Sequence, residues 1–151
     1  VVQNGNGKDL DKALAWADRA ITDQFAGQSN FQTLSTKAQV LDKMGKADEA
    51  KALMDKALPL GSITDVHFYG RSLIASGKNE EALKIFKWNR EKHPEDKFTT
   101  FVGLARGHMA VGKHKEAAQY FRQAAPNAPE GQANTYEMLA KECDDKAKNG
   151  G

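Results

Sequence analysis

The chain has almost no cysteine and no long apolar segment. Cys143 is its one cysteine, so no internal disulfide can form and the redox compartment stays open. No apolar run approaches the roughly 18 residues that cross a bilayer, so we expect no membrane insertion. Aromatic residues make up only 8% of the chain. This composition suits thin layers of helices packed mainly with alanine and leucine.

A concentrated charge of one sign is also missing. Charged residues make up 28% of the chain, but the formal net charge is only +2. Nucleic-acid-binding domains normally gather basic residues on one face. We therefore expect no nucleic acid among the partners, and a helical repeat that reads RNA stays as a remote alternative.

Motifs for catalysis and metal binding are absent as well. The four histidines form neither an HExxH motif nor a pair four residues apart on one helix. No glycine-rich phosphate-binding motif follows a strand. The sequence therefore predicts no enzyme, no catalytic residue, no cofactor and no metal site.

What the sequence does contain is a repeat with a period of about 34 residues. Three times a glycine is followed five residues later by an alanine, and a fourth copy is looser by one residue. A unit of this length can form two helices, which share their apolar faces with neighbouring units. The glycines suit the left-handed turn that ends a helix. The pairs are Gly45 and Ala50, Gly77 and Ala82, Gly112 and Ala117, and the looser Gly7 and Ala13.

Apolar residues recur at intervals of three, four and seven, which is the pattern of one apolar helix face. Together with the glycine and proline positions, these intervals predict where helices begin and end. We expect the last helix to be followed by a frayed tail over 146–151. The eight predicted helices span 8–22, 31–44, 47–58, 64–76, 79–92, 97–111, 114–125 and 131–147.

Aligned on the alanines, further columns share a residue type. A small residue lies twelve positions before (Ala38, Gly70, Ala105), a large apolar residue four after (Met54, Phe86, Phe121), and a proline twelve after in two units (Pro94, Pro129). This pattern resembles the tetratricopeptide repeat (TPR) over residues 8–146, although Asn89 stands where alanine is expected. The resemblance implies an all-α, right-handed α-α superhelix, a TPR-like solenoid of eight helices whose first helices line a concave face.

A second, weaker likeness concerns residues 34–41 and 56–60. These segments are similar to an uncharacterised bacterial family of exported proteins, in which a β domain precedes helical repeats. The likeness implies a bacterial periplasmic or exported protein, with the cytoplasm left open, and it implies no function.

The predicted organisation begins with a truncated repeat. Trp16 lies in that unit without a preceding helix to cover it, so we expect it to contact an upstream domain of the same polypeptide, another neighbouring domain or a second copy of the chain. The alternative is that Trp16 folds onto its own helix and the loop near Phe25. The predicted segments are a disordered or tag-proximal lead (1–7), the second helix of a truncated first repeat plus a loop (8–30), repeat 2 (31–62), repeat 3 (63–96), repeat 4 (97–130), and a capping helix with its tail (131–151).

The predicted concave face carries basic residues beside apolar ones. One column holds Gln39, Arg71, Arg106 and Lys141, and the cations in it lie 35 residues apart. Unpaired like charges on neighbouring helices repel, which favours an anionic ligand. The alternative is that these are solvated charges balanced by Asp42, Glu137 and Asp144. The full candidate surface is Gln39, His67, Arg71, Ile74, Val102, Arg106, Met109 and Lys141.

These features predict a non-enzymatic protein-protein interaction scaffold. It would bind an extended, acidic segment or a neighbouring domain on its concave face. The alternative is an architectural C-terminal domain that packs on an upstream domain and has no free ligand. His108 and Cys143 share a column and could form a Cys-His couple, but that column faces the predicted core, where cysteine behaves as an inert apolar group.

One partner is disfavoured by the resemblance itself. TPR domains that hold chaperone C-termini use a clamp of lysine, asparagine and arginine side chains. The matching positions here are Ser35, Gln39, Phe68, Thr99 and Gly103. The clamp is missing, so a chaperone adaptor is not expected.

Overall fold

The structure, a computed structural model, describes residues 9–17 and 30–150. Within these residues it contains eight α-helices and no strand, which confirms the predicted all-α class and the number of helices. Helix α1 occupies residues 9–17. The others are α2 (Phe31–Lys43), α3 (Ala47–Ala57), α4 (Ile63–Ala75), α5 (Asn79–Lys92), α6 (Thr99–Ala110), α7 (His114–Ala124) and α8 (Ala133–Gly150).

The helices fall into two compact units, Val1–Gly61 and Ser62–Gly151. In the first unit α2 packs on α3, and the chain then forms a short 3₁₀ turn, Leu58–Leu60. In the second unit each helix from α4 to α8 packs on the next. Helix α4 also contacts α6, so the first helices of two successive repeats lie side by side. That side-by-side placement creates the surface considered below.

The turn inside each repeat has the left-handed geometry that its glycine predicts. Gly45, Gly77 and Gly112 have φ values of 82°, 79° and 82°. The residue after each glycine donates its N–H to the carbonyl five positions earlier, as Lys78 does to Leu73 at 2.8 Å. These bonds satisfy carbonyls at the end of the first helix and fix where the second helix starts.

The core explains why small residues recur. The Phe86 ring is 1% exposed, and it fills space that a side chain on Gly70 of α4 or Gly103 of α6 would occupy. A Cβ atom on Gly70 would lie 2.5 Å from Phe86 Cε1, and one on Gly103 would lie 2.6 Å from Phe86 Cδ1. The large ring of α5 therefore reaches between α4 and α6 only because both positions lack a side chain.

The last helix is longer than predicted. The expected frayed tail is wrong for 146–150, because α8 continues to Gly150. Alanine and lysine in this stretch favour helix, and Lys148 in the last turn complements the negative end of the helix dipole. The predicted lead (1–7), the continuation of the first helix beyond Ala17, the loop near Phe25, and Gly151 lie outside the described residues.

Candidate functional site

Four of the predicted surface residues line one pocket between α4 and α6. We call this pocket the arginine pocket; its volume is about 270 Å³. Helices α4 and α6 contribute equivalent residues to it, because the repeat period places Arg71 over Arg106 and Ile74 over Met109. The lining residues are Arg71, Ile74, Ala75, Arg106, Met109 and Ala110.

The two arginines of this pocket differ from the other described arginines in having no acceptor. Arg90 donates to the Asp96 carbonyl and to Thr100 Oγ1, and Arg122 forms a salt bridge with Asp144. In the part of the chain that the structure describes, neither Arg71 nor Arg106 forms a salt bridge. Arg106 Nε is buried without a hydrogen-bond partner. Two guanidinium groups therefore line one pocket without a carboxylate between them.

The electrostatics of Arg106 reflect this arrangement. Burial lowers the pKa of its guanidinium, and the charge of Arg71 lowers that pKa further, whereas Tyr136 acts in the opposite direction. Arg71 is exposed, and its guanidinium carbon lies 6.0 Å from the centre of the Phe68 ring. An anion placed at the pocket would relieve the repulsion between the two cations.

Phe68 is a surface residue that the sequence analysis missed as part of this site. Its side chain is 58% exposed, one turn before Arg71 on α4. The spacing of three residues was the available signal, since side chains at i and i+3 are neighbours on a helix. The ring adds an apolar surface next to the exposed cation.

His67 lies beneath the cations rather than on the surface. Its side chain is 8% exposed, and its ring packs against Phe86 and Phe68 at centroid distances of 5.7 and 5.9 Å. Burial lowers the pKa of His67 to about 4, helped by Arg71 and Arg106 and opposed by Asp96. The imidazole is therefore neutral near pH 7, and the positive charge of the site comes from the arginines.

The apolar wall of the pocket is held by the core. Ile74 packs against the cluster that contains Leu73 and Phe86, and Met109 packs against the cluster that contains Cys143. The Cys143 thiol donates to the Met109 sulfur at 3.9 Å. Both wall residues are half-buried, so each presents a fixed apolar edge to the pocket.

The remaining predicted residues are placed elsewhere. Val102 is only 4% exposed and has almost no surface to offer a partner. Lys141 is exposed on α8 but does not line the arginine pocket, and Gln39 is exposed in the first unit. The Trp16 ring is 65% exposed.

A larger depression of about 420 Å³ lies near the turn between α4 and α5. It is lined by residues of both charges, among them Lys78, Glu80 and Glu81. Asn79 in its wall donates to the Ala110 carbonyl at 3.1 Å, so this polar group is already satisfied within the protein. It offers no concentration of unused donors comparable to the arginine pocket.

The Cys-His couple that the sequence suggested is not assembled. His108 Nδ1 donates to the Leu104 carbonyl at 2.8 Å, and the Cys143 thiol points to Met109 instead of to His108. Burial raises the pKa of the Cys143 thiol, which keeps it protonated. Among residues 9–17 and 30–150, no group of three or more histidine, cysteine, aspartate or glutamate side chains could hold a metal ion.

A family comparison accounts for this architecture. The family described as "Anaphase-promoting complex, cyclosome, subunit 3", a TPR-type repeat family, matches residues 6–89, more than half of the chain. The chain belongs to this family. Its repeats are therefore of the TPR type, as the columns of small residues and alanines predicted. No curated protein and no solved structure matches the chain.

Membership in a TPR-type family points to protein partners and to a protein-protein interaction scaffold. Repeats of this type are typically non-catalytic. The match does not support the weaker likeness to an exported bacterial family. No helix in the described ranges is both long and apolar enough to span a bilayer.

Proposed function

We propose that this TPR-type repeat is a non-enzymatic scaffold that binds an extended, acidic protein segment at the arginine pocket. The observation that carries the proposal is the pairing of Arg71 with Arg106 on adjacent helices without an acceptor, next to an apolar wall. Arginine presents several N–H groups in a planar fork, which matches the two oxygens of a carboxylate.

The contrast with Arg90 and Arg122 supports the assignment. Those two side chains have acceptors within the protein, so their role is explained by the fold. Arg106 is half-buried, and its pKa is lowered by burial and by Arg71, so its position costs free energy in the absence of an anion. A bound carboxylate would offset the repulsion between the two cations.

The test is a charge reversal at the pocket. The double variant R71E/R106E should lose binding of a labelled acidic peptide, for example a capped 12-residue peptide of alternating glutamate and glycine, measured by fluorescence anisotropy. Each hydrogen bond to a charged group contributes about 1.5–3 kcal/mol, so loss of both arginines should weaken binding at least about tenfold.

The matched control is K84E/K87E on α5, where both lysines are exposed and away from the pocket. It changes the net charge by the same amount, so it measures the effect of overall charge alone. Far-UV circular dichroism should report the same helix content for both variants. Equal loss of binding in the two variants would contradict the proposal, since it would reduce the effect to net charge.

A second candidate function follows from Trp16. An exposed indole of this size is typical of an interface, and we propose that it docks a neighbouring domain of the same polypeptide. With Trp88 replaced by phenylalanine, the emission of Trp16 in a longer protein should shift to shorter wavelength than in this chain alone. An unchanged spectrum would argue against docking.

A further inference from the structure

The arginine pocket has two chemically different rows, and their spacing restricts the ligand more than charge does. The cationic row is Arg71 and Arg106, and the apolar row is Ile74 and Met109. In each helix the two rows are three residues apart, so they are neighbours separated by about 5–6 Å between Cβ atoms. A ligand that uses both rows must place an acidic and an apolar group at that distance.

We infer that the arginine pocket recognises an acidic residue and an aliphatic residue two positions apart in an extended segment that runs along α4 and α6. In an extended chain, residues i and i+2 point to the same face, about 6.6–7 Å apart. This distance is close to the separation of the two rows. Adjacent residues point to opposite faces, so an acidic residue next to an aliphatic one cannot fill both rows.

The charges and burial of the pocket fit this ligand. The carboxylate would accept from the guanidinium groups of Arg106 and Arg71, which both line the pocket. The aliphatic side chain would contact Ile74 and Met109, which are held in place by the core clusters behind them. Within the described residues, neither Arg71 nor Arg106 forms a salt bridge, so the ligand would not have to break one.

In the alternative geometry, the bound segment runs across the two helices instead of along them. A segment that crossed from α4 to α6 would meet the two arginines in turn, about 8–10 Å apart, and would need acidic residues two or four positions apart to present both on one face. That arrangement leaves Ile74 and Met109 unused, although they form the apolar part of the same pocket. The proposed direction uses both rows.

The inference rests on the proposed function, because it describes the ligand of the same pocket. The experiment uses four short peptides with blocked ends, so that no terminal carboxylate takes part. The parent peptide is acetyl-Gly-Ser-Glu-Gly-Leu-Gly-Ser-amide. The second replaces glutamate by glutamine, the third replaces leucine by serine, and the fourth places glutamate and leucine next to each other. Binding to the whole chain is measured by two-dimensional amide NMR titration.

We expect the parent peptide to bind most tightly, with shifts centred on Ile74 and Met109. Loss of the carboxylate should weaken binding at least about tenfold, and loss of the leucine about five- to tenfold. The adjacent arrangement should bind no better than the serine peptide, since only one row is filled.

Two protein variants separate the rows. The variant R106Q should lose the preference for glutamate over glutamine and keep the preference for leucine over serine. Ile74→Thr should show the reverse, and it keeps a β-branched side chain while making it shorter and polar. Thermal unfolding followed by circular dichroism checks that both variants are folded.

The outcomes distinguish the two proposals. If the serine peptide or the adjacent peptide binds as tightly as the parent, the inference is overturned while the acidic-segment proposal stands. If the glutamine peptide binds as tightly as the parent, or if no peptide binds, both proposals are overturned. Opposite loss of preference in the two variants supports the inference.

Discussion

Replacement of His67 by glutamine should change how the stability of the protein depends on pH. The pKa of His67 is lowered to about 4 by burial first, and then by the charges of Arg71 and Arg106. In the unfolded chain the pKa of this group should be near its ordinary value of 6.5. The folded protein therefore resists protonation of a ring that the unfolded chain protonates readily.

The direction of the effect follows from proton binding. Between pH 6.5 and pH 4 the unfolded chain binds a proton at this position and the folded protein does not, so the free energy of unfolding falls as the pH decreases. The loss begins near pH 6.5 and is complete below about pH 4. A difference of about 2.5 pKa units corresponds to at most about 3 kcal/mol.

The assay is urea unfolding of the wild-type protein and of H67Q at pH 7, 6, 5 and 4.5. Subtraction of the two curves removes the other titrating groups, which are common to both proteins. We expect the wild-type advantage at pH 7 to shrink by about 2 kcal/mol by pH 4.5. Parallel curves, or an NMR titration of the His67 ring with a pKa of 6 or higher, would refute the reasoning.

Two further predictions concern the core. Gly70→Ala should destabilise the protein by about 1–2 kcal/mol in urea unfolding, because the added methyl group collides with Phe86. The added change Phe86→Leu should recover part of the loss. A single variant that is more stable than the parent protein would contradict this prediction. Cys143 should react with a thiol reagent at least about 100-fold more slowly in the native protein than in urea, because burial raises the pKa of its thiol. Similar reaction rates in the two conditions would show that the thiol is exposed.

The repeat was predictable because its signals are local and occur in register. A glycine at φ near 80° ends the first helix of each pair, and an alanine five residues later is buried in the second. Both requirements act within one turn or between two consecutive helices, so they leave a fixed spacing in the sequence. The same spacing placed Arg71 and Arg106 in one column.

The roles of polar residues inside the repeat were less predictable. Asn89 stands where alanine is expected, and its side chain is 1% exposed. The structure shows that Asn89 Nδ2 donates to the Ile63 carbonyl at 3.0 Å, near the start of α4. A partner 26 residues away leaves no periodic signal, so the sequence could identify the exception but not its reason.

The amino-acid sequence by itself determined the repeat period, the helix pairs and the column in which the arginines stand, because each depends on contacts between near neighbours in the chain. Only the tertiary structure decided which of the candidate surface residues share a pocket. Val102 and His67 are buried, whereas Arg71, Ile74, Arg106 and Met109 line the pocket together. Burial and charge pairing depend on side chains from several helices at once, and no single segment specifies them.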